Sequence, residues 1–143
     1  MSADLKKLQK NWLWVTSFVV WSFGPVFFLA SMRATDEPAR ITLDLLNWPV
    51  DGEQQIADGT MRFLSALTGG FLFGWGIMIL CLRQLVYDRA PEQTRVAILI
   101  GLLAWFFLDS LGSYLSDAPS NVLFNILVLA IAVGPLWKPV KSA

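Results

Sequence analysis

The sequence predicts an all-α integral membrane protein, a four-helix bundle built as a single domain over residues 1–143. Three observations carry that prediction. Four apolar stretches, Trp12–Met32, Phe63–Leu82, Val96–Leu115 and Asn121–Trp137, each have roughly the 17–21 residues that an α-helix needs to cross a hydrocarbon core. Charged residues make up 15% of the chain and mean hydropathy is +0.55, whereas about a quarter of a soluble domain is charged. Lys and Arg crowd at alternate ends of the stretches, which orders the topology.

The first expected helix, about 12–32, opens with Trp12 and Trp14 beside Lys10 and Asn11, an aromatic belt at headgroup level. Gly24-Pro25 lies inside it. Pro25 removes a backbone donor and predicts a kink near Trp21, with Ser22 or a neighbouring helix supplying the lost partner. A cleaved signal peptide is the competing reading, but the run is too long for such a segment and carries Trp12, Trp14 and Trp21.

The loop 33–60 is the longest polar segment. Within it Pro38 to Asn47 reads as a short interfacial helix: Asp36 and Glu37 favour its start, Ile41, Leu45, Leu46 and Trp48 give it an apolar side, and Pro49 ends it. Asp51-Gly52 marks a turn. The segment reads as a tether dipping at the interface, or as a lid over an outward pocket or a docking surface.

The second long helix, about 61–86, repeats small residues at every fourth position: Ala66, Gly70 and Gly74. Gly69 and Gly76 lie nearby, and such a stripe is expected to let a neighbouring helix backbone approach, within the bundle or across a dimer, or to leave a slot for a flat ligand. Cys81 near its end is expected to be a buried, inert thiol. The third and fourth helices, about 95–116 and 120–137, follow short loops, so neighbouring helices in sequence are expected to pack as antiparallel hairpins.

Orientation follows from charge. Lys6, Lys7, Lys10, Arg83, Arg89, Arg95, Lys138 and Lys141 fall on one side, and only Arg33, Arg40 and Arg62 on the other. Both termini are therefore expected in the cytoplasm, with the loop 33–60 outside.

Composition also excludes. Net charge is zero, which gives nucleic acid no electrostatic attraction. There is no His, and Cys81 is alone, so the commonest metal ligand, the commonest general base and any intrachain disulfide are missing. No metal site is expected.

Asp109 is the one charged residue within the four stretches, and carboxylates in membrane helices face the interior or a wet cavity. It lies roughly 9 Å below the outer end of its helix. Arg62, Ser65, Thr68, Ser113, Asn121 and Asn125 fall near the same level, so these residues are expected to form one polar layer. On the third helix Trp105, Asp109 and Ser113 share a stripe, as Asn121 and Asn125 do on the fourth. Read as structure, Arg62 pairs with Asp109 and the two Asn bridge helices. Read as function, the layer is a pocket for a quinone head, a lipid headgroup or a proton. One carboxylate without a second acid or base is thin equipment for catalysis. Elsewhere the inner half is apolar, as at Ile77, Ile79, Leu80 and Leu82, which disfavours a channel or transporter.

The segments DGTMRFLSALTGGFLFGWGIMI and LLAWFFLDSLGSYLSDAPSNVLFNILVLAIAVGPLW resemble small bacterial four-helix membrane proteins of the DoxX-like kind. The resemblance implies a multi-pass protein of the bacterial inner membrane in a redox-complex setting, and brings no catalytic motif. The leading expectation is a non-enzymatic accessory or assembly subunit of a larger respiratory or photosynthetic membrane complex, with lipids and other membrane subunits, or itself, as partners. The alternatives are a binder of a lipophilic ligand (quinone, carotenoid or lipid) at the outer polar layer, and a small transporter.

Overall fold

The computed structural model describes residues 2–140, all helix and loop with no strand among them. Lys141, one of the basic residues counted for orientation, lies outside the described residues. Five α-helices follow in order: α1 Ser2–Leu29, α2 Glu37–Leu46, α3 Gly59–Leu85, α4 Pro91–Leu115 and α5 Pro119–Val133. A short 3₁₀ turn, Gly134–Trp137, continues α5. The long helices α1, α3, α4 and α5 with its turn are each long and apolar enough to cross a membrane. Both described termini lie at one end, the terminal end, and the connection holding α2 lies at the other, the loop end.

The first helix starts ten residues before its expected boundary. Gln9 and Leu13, one turn apart, are fully buried, and this inward face carries the helix back through the basic segment to Ser2. The helix continues through Pro25, and Ser22 donates to the Val19 carbonyl rather than to that of Trp21.

α1 is the shared neighbour. It packs along α3, meets α5 and touches α2, while α4 leans on α5. The expected hairpin between α3 and α4 does not form as a packed pair, because the two helices hardly touch. The reason is the α1–α3 seam. A Cβ on Gly76 would lie 2.5 Å from the Trp21 Cβ, and one on Gly69 would lie 2.6 Å from the Gly24 carbonyl oxygen. Ser17 Oγ donates to the Gly76 carbonyl at 2.7 Å. Glycine is required there because backbone meets backbone, and this contact claims the face of α3 that would otherwise serve α4.

That seam corrects the expected stripe. A Cβ on Gly70 or Gly74 would meet nothing within 4 Å, and Ala66 is half-buried. Gly69 and Gly76, seven residues apart, share the packed face, whereas Gly70 and Gly74 are turned about 100° or more away from it. Cys81 is exposed, not buried. It sits two residues from buried Ile79, roughly on the opposite side of the helix.

At the terminal end α1 completes α5. Pro135 has no N–H, so the Ile131 carbonyl four residues earlier loses its helical donor. Trp12 Nε1–H supplies one at 2.9 Å. Thr16 Oγ1 donates to the Ala132 carbonyl at 2.7 Å, Gln9 Nε2 to those of Pro135 and Lys138, and Arg95 Nη1 to that of Leu136. Five carbonyls at a broken helix end are thus met by side chains from α1 and α4. Gly134, at φ +40°, turns the chain directly against the Trp12 indole. In the α3–α4 loop, Tyr87 donates to Lys6 O and Gln9 Oε1. Burial, aided by nearby Asp88 and Glu92, pushes its hydroxyl up from 10.0 to about 12, so it stays a neutral donor at physiological pH.

Two predictions follow from these contacts. Gly76→Leu forces Trp21 and the α1 backbone away and lowers thermal stability in detergent by about 2 kcal/mol or more, while Gly70→Leu leaves it within about 0.5 kcal/mol. Equal effects from the two would place the seam wrongly. Trp12→Phe keeps an aromatic ring, though a smaller one, and removes the donor to Ile131, costing about 1 kcal/mol or more. In a Pro135→Ala background, where the amide is restored, that cost shrinks, and a double-mutant cycle reads the difference.

Candidate functional site

Because α3 and α4 stand apart, the four long helices border a half-open cavity of about 550 Å³ in the loop-end half. Its α1 wall is Val19, Val20, Phe23 and Phe27; its α3 wall is Thr68, Phe71, Leu72 and Trp75. α4 contributes Leu102, Trp105 and Asp109, and α5 contributes Asn121, Phe124, Asn125 and Val128. The volume falls in the range of small-molecule sites. Six of these side chains are aromatic.

The floor is indole. Trp75 and Trp105 lie with ring centroids 6.3 Å apart, tilted at 56°, across the gap between α3 and α4. Trp75 fits beside Gly101, where an added Cβ would lie 3.9 Å from it. Trp105 lies one helical turn before Asp109, on the same stripe of α4.

The roof is α2. Asp44, itself buried, accepts the Gly52 amide at 3.1 Å and closes the turn that follows the helix. Gly52 takes φ +74°, a conformation that suits glycine. Ser120 Oγ donates to the Leu46 carbonyl at 2.7 Å and accepts the Trp48 amide at 3.0 Å, tying the end of α2 to the start of α5. Leu46 thereby lines the cavity, while Ile41, Leu45 and Trp48 are exposed. The sequence-predicted helix forms and bridges α1 and α5.

The polar end of the cavity is a carboxylate held by two amides. Asp109 Oδ2 accepts from Asn125 Nδ2 at 2.6 Å and from Asn121 Nδ2 at 3.2 Å. Asn121 Nδ2 also reaches Ser113 Oγ at 2.8 Å, and Asn125 Nδ2 reaches Ser110 Oγ at 3.1 Å. Ser113 Oγ donates to the Asp109 carbonyl at 2.7 Å, which fixes its lone pairs toward Asn121. This network joins α4 to α5 below their short connection, residues 116–118. Two N–H donors thus converge on one carboxylate oxygen.

Four of the seven residues expected in the polar layer, Asp109, Ser113, Asn121 and Asn125, are brought together. Arg62 is not. Its guanidinium bonds Asp36 Oδ2 at 2.9 Å, the Ile56 carbonyl at 2.7 Å and the Ala30 carbonyl at 3.1 Å. It sits on the first turn of α3, across the cavity from α4, and fastens the polar loop instead of pairing with Asp109. Thr68 lines the cavity without joining the network, and Ser65 is half-buried outside it. Ser110 was not anticipated, nor was the aromatic wall from α1 and α5. The aromatic content of each stretch was visible, but which rings share a space depends on the α1–α3 seam.

Acid–base chemistry has one carboxylate here and no second titrating group among the cavity residues. No group of three or more potential metal ligands occurs among the described residues. The arrangement can hold an apolar body beneath a single anionic anchor. Asn125→Leu strips the shorter of the two bonds to Asp109 and is expected to lower stability in detergent by about 1–2 kcal/mol, with a smaller loss for Asn121→Leu. The reverse order, read from thermal unfolding, would contradict this geometry.

Comparison of the chain with protein families, curated proteins and solved structures finds no match, and the DoxX-like resemblance rests on the sequence segments alone.

Proposed function

We propose that this chain is a non-catalytic, multi-pass membrane protein that holds a lipophilic ligand in the cavity between its four long helices. The cavity itself carries the reading. Tightly packed helices leave few voids larger than a water molecule, whereas here about 550 Å³ is bounded by aromatic side chains and ends at one polar cluster. The distribution of basic residues supports cytoplasmic termini in this reading, and the resemblance to DoxX-like proteins supports a bacterial inner membrane. The loop end then faces outward, with α2 covering the site. Quinones, carotenoids and lipids are the classes of suitable shape.

A second reading is an accessory or assembly subunit of a larger respiratory or photosynthetic complex. The open ground above Gly70 and Gly74 favours it, since a partner helix can lie close there. A transporter is disfavoured: below Trp75 and Trp105 the helices close on Leu13, Ile79 and Ile98, and the buried polar side chains there, Gln9, Thr16 and Ser17, are bonded to backbone carbonyls.

Val128→Trp places a bulky ring in the cavity. Solvent extraction and mass spectrometry of protein purified from its own membranes should find a lipophilic molecule retained near stoichiometry by the native chain and depleted severalfold in Val128→Trp. No retained molecule beyond bulk lipid in the native chain would refute the reading, and co-purifying membrane subunits would favour the second.

A further inference from the structure

The ligand class follows from which polar atoms remain free. Asp109 is the one charged residue lining the cavity, and no Lys or Arg lines it. Its Oδ2 takes both asparagine amides, while Oδ1 has no hydrogen-bond partner among the described residues. The amide hydrogens of Asn121 and Asn125 are committed to Asp109, Ser113 and Ser110, so the asparagines have only carbonyl oxygens left to offer. The Asp109–Asn121–Asn125 end therefore presents acceptors and a negative charge, while the donors lining the cavity, Thr68 Oγ1–H and the indole N–H groups of Trp75 and Trp105, belong to other residues. Around it stand ring faces and edges from all four long helices, among them Phe23, Trp75, Trp105 and Phe124.

A carboxylate in a low-dielectric site attracts a cation strongly, and aromatic rings add the attraction of their quadrupoles. An anionic head is repelled at Asp109, and a quinone carbonyl, which only accepts hydrogen bonds, finds no donor at the Asp109–Asn121–Asn125 end. Resting on the ligand-binding reading above, we propose that the cavity takes a lipophilic organic cation, an ammonium-type head on an apolar body, with Asp109 as counter-ion and the Trp75–Trp105 pair against the body. The head belongs either to a free lipophilic amine or to the amine of a membrane lipid. The carboxylate that is costly in an empty membrane helix is neutralised when the site is filled.

The test uses the purified full chain in an uncharged maltoside detergent and three probes: tetraphenylphosphonium, its anionic counterpart tetraphenylborate, and decyl-ubiquinone. Equilibrium dialysis and indole fluorescence should show saturable tetraphenylphosphonium binding. It should weaken at least about tenfold in Asp109→Asn and severalfold in Trp105→Leu, with helicity and thermal unfolding retained. If Asp109→Asn does not fold, Trp105→Leu and the preference for the cation over the borate still decide. Equal or tighter binding of tetraphenylborate or decyl-ubiquinone, or tetraphenylphosphonium binding unchanged in both variants, overturns the cation class while leaving a ligand-binding cavity. Saturable binding of none of the three overturns both. In nanodiscs, competition by phosphatidylethanolamine but not phosphatidylglycerol supports the proposal with the lipid amine as the source. Undiminished tetraphenylphosphonium binding in both supports it with a free amine.

Discussion

A backbone carbonyl inside a hydrocarbon layer needs a donor, and the end of α5 breaks the helix at Gly134-Pro135 where donors are scarce. Side chains of α1 meet that demand: Trp12, Thr16 and Gln9 each give a hydrogen bond to a carbonyl of the α5 terminus. This obligation holds α1 against α5. A second, at Gly76 and Gly69, holds α1 against α3 with backbones in contact. Once α1 is committed to both, α4 has only α5 to lean on, and a gap between α3 and α4 follows. The cavity is the geometric remainder of contacts made elsewhere.

That remainder has a defined floor, roof and polar side. Large side chains from α3 and α4 meet across the gap as Trp75 and Trp105 and stop it from extending to the terminal end. At the loop end the gap is roofed by α2, which is fastened at both sides: by Ser120 to α5, and by the small apolar cluster of Ala30, Ala39 and Ile56 to α1. Between floor and roof the polar network is confined to the α4–α5 side, while the α1 and α3 walls are almost wholly apolar apart from Thr68. An amphiphilic occupant thus has one orientation that matches both sides.

The spans, the short helix in the first loop and the Asp109–Asn121–Asn125 cluster were legible in the sequence because each depends on local periodicity. Asp109 and Asn125 lie on consecutive helices joined by a three-residue connection, so equal depth implies contact. Arg62 was misplaced because equal depth on α3 does not imply contact with α4 when those helices are separated. The glycine stripe was misread by a rotation about the helix axis. Gly70 and Gly74 obey the four-residue spacing of small residues, whereas the packed pair, Gly69 and Gly76, is spaced by seven, and only the partner helix decides which face is used. Cys81 was expected to be buried because the inner half is apolar, but an apolar stretch of a membrane helix also has an outward face, and Cys81 lies on it. The α5 terminus could have been found: Pro135 announces a carbonyl in need, and Trp12, Thr16 and Gln9 are spaced along one side of α1 to answer it.

The separation of α3 from α4 above a tryptophan floor is what gives this chain its cavity. A density map of the protein in lipid nanodiscs addresses it directly. An elongated density lying between Phe71 and Trp105, with one end against Asp109, is the expected result. Helices α3 and α4 in direct contact through their loop-end halves, with side chains filling the space, would contradict it.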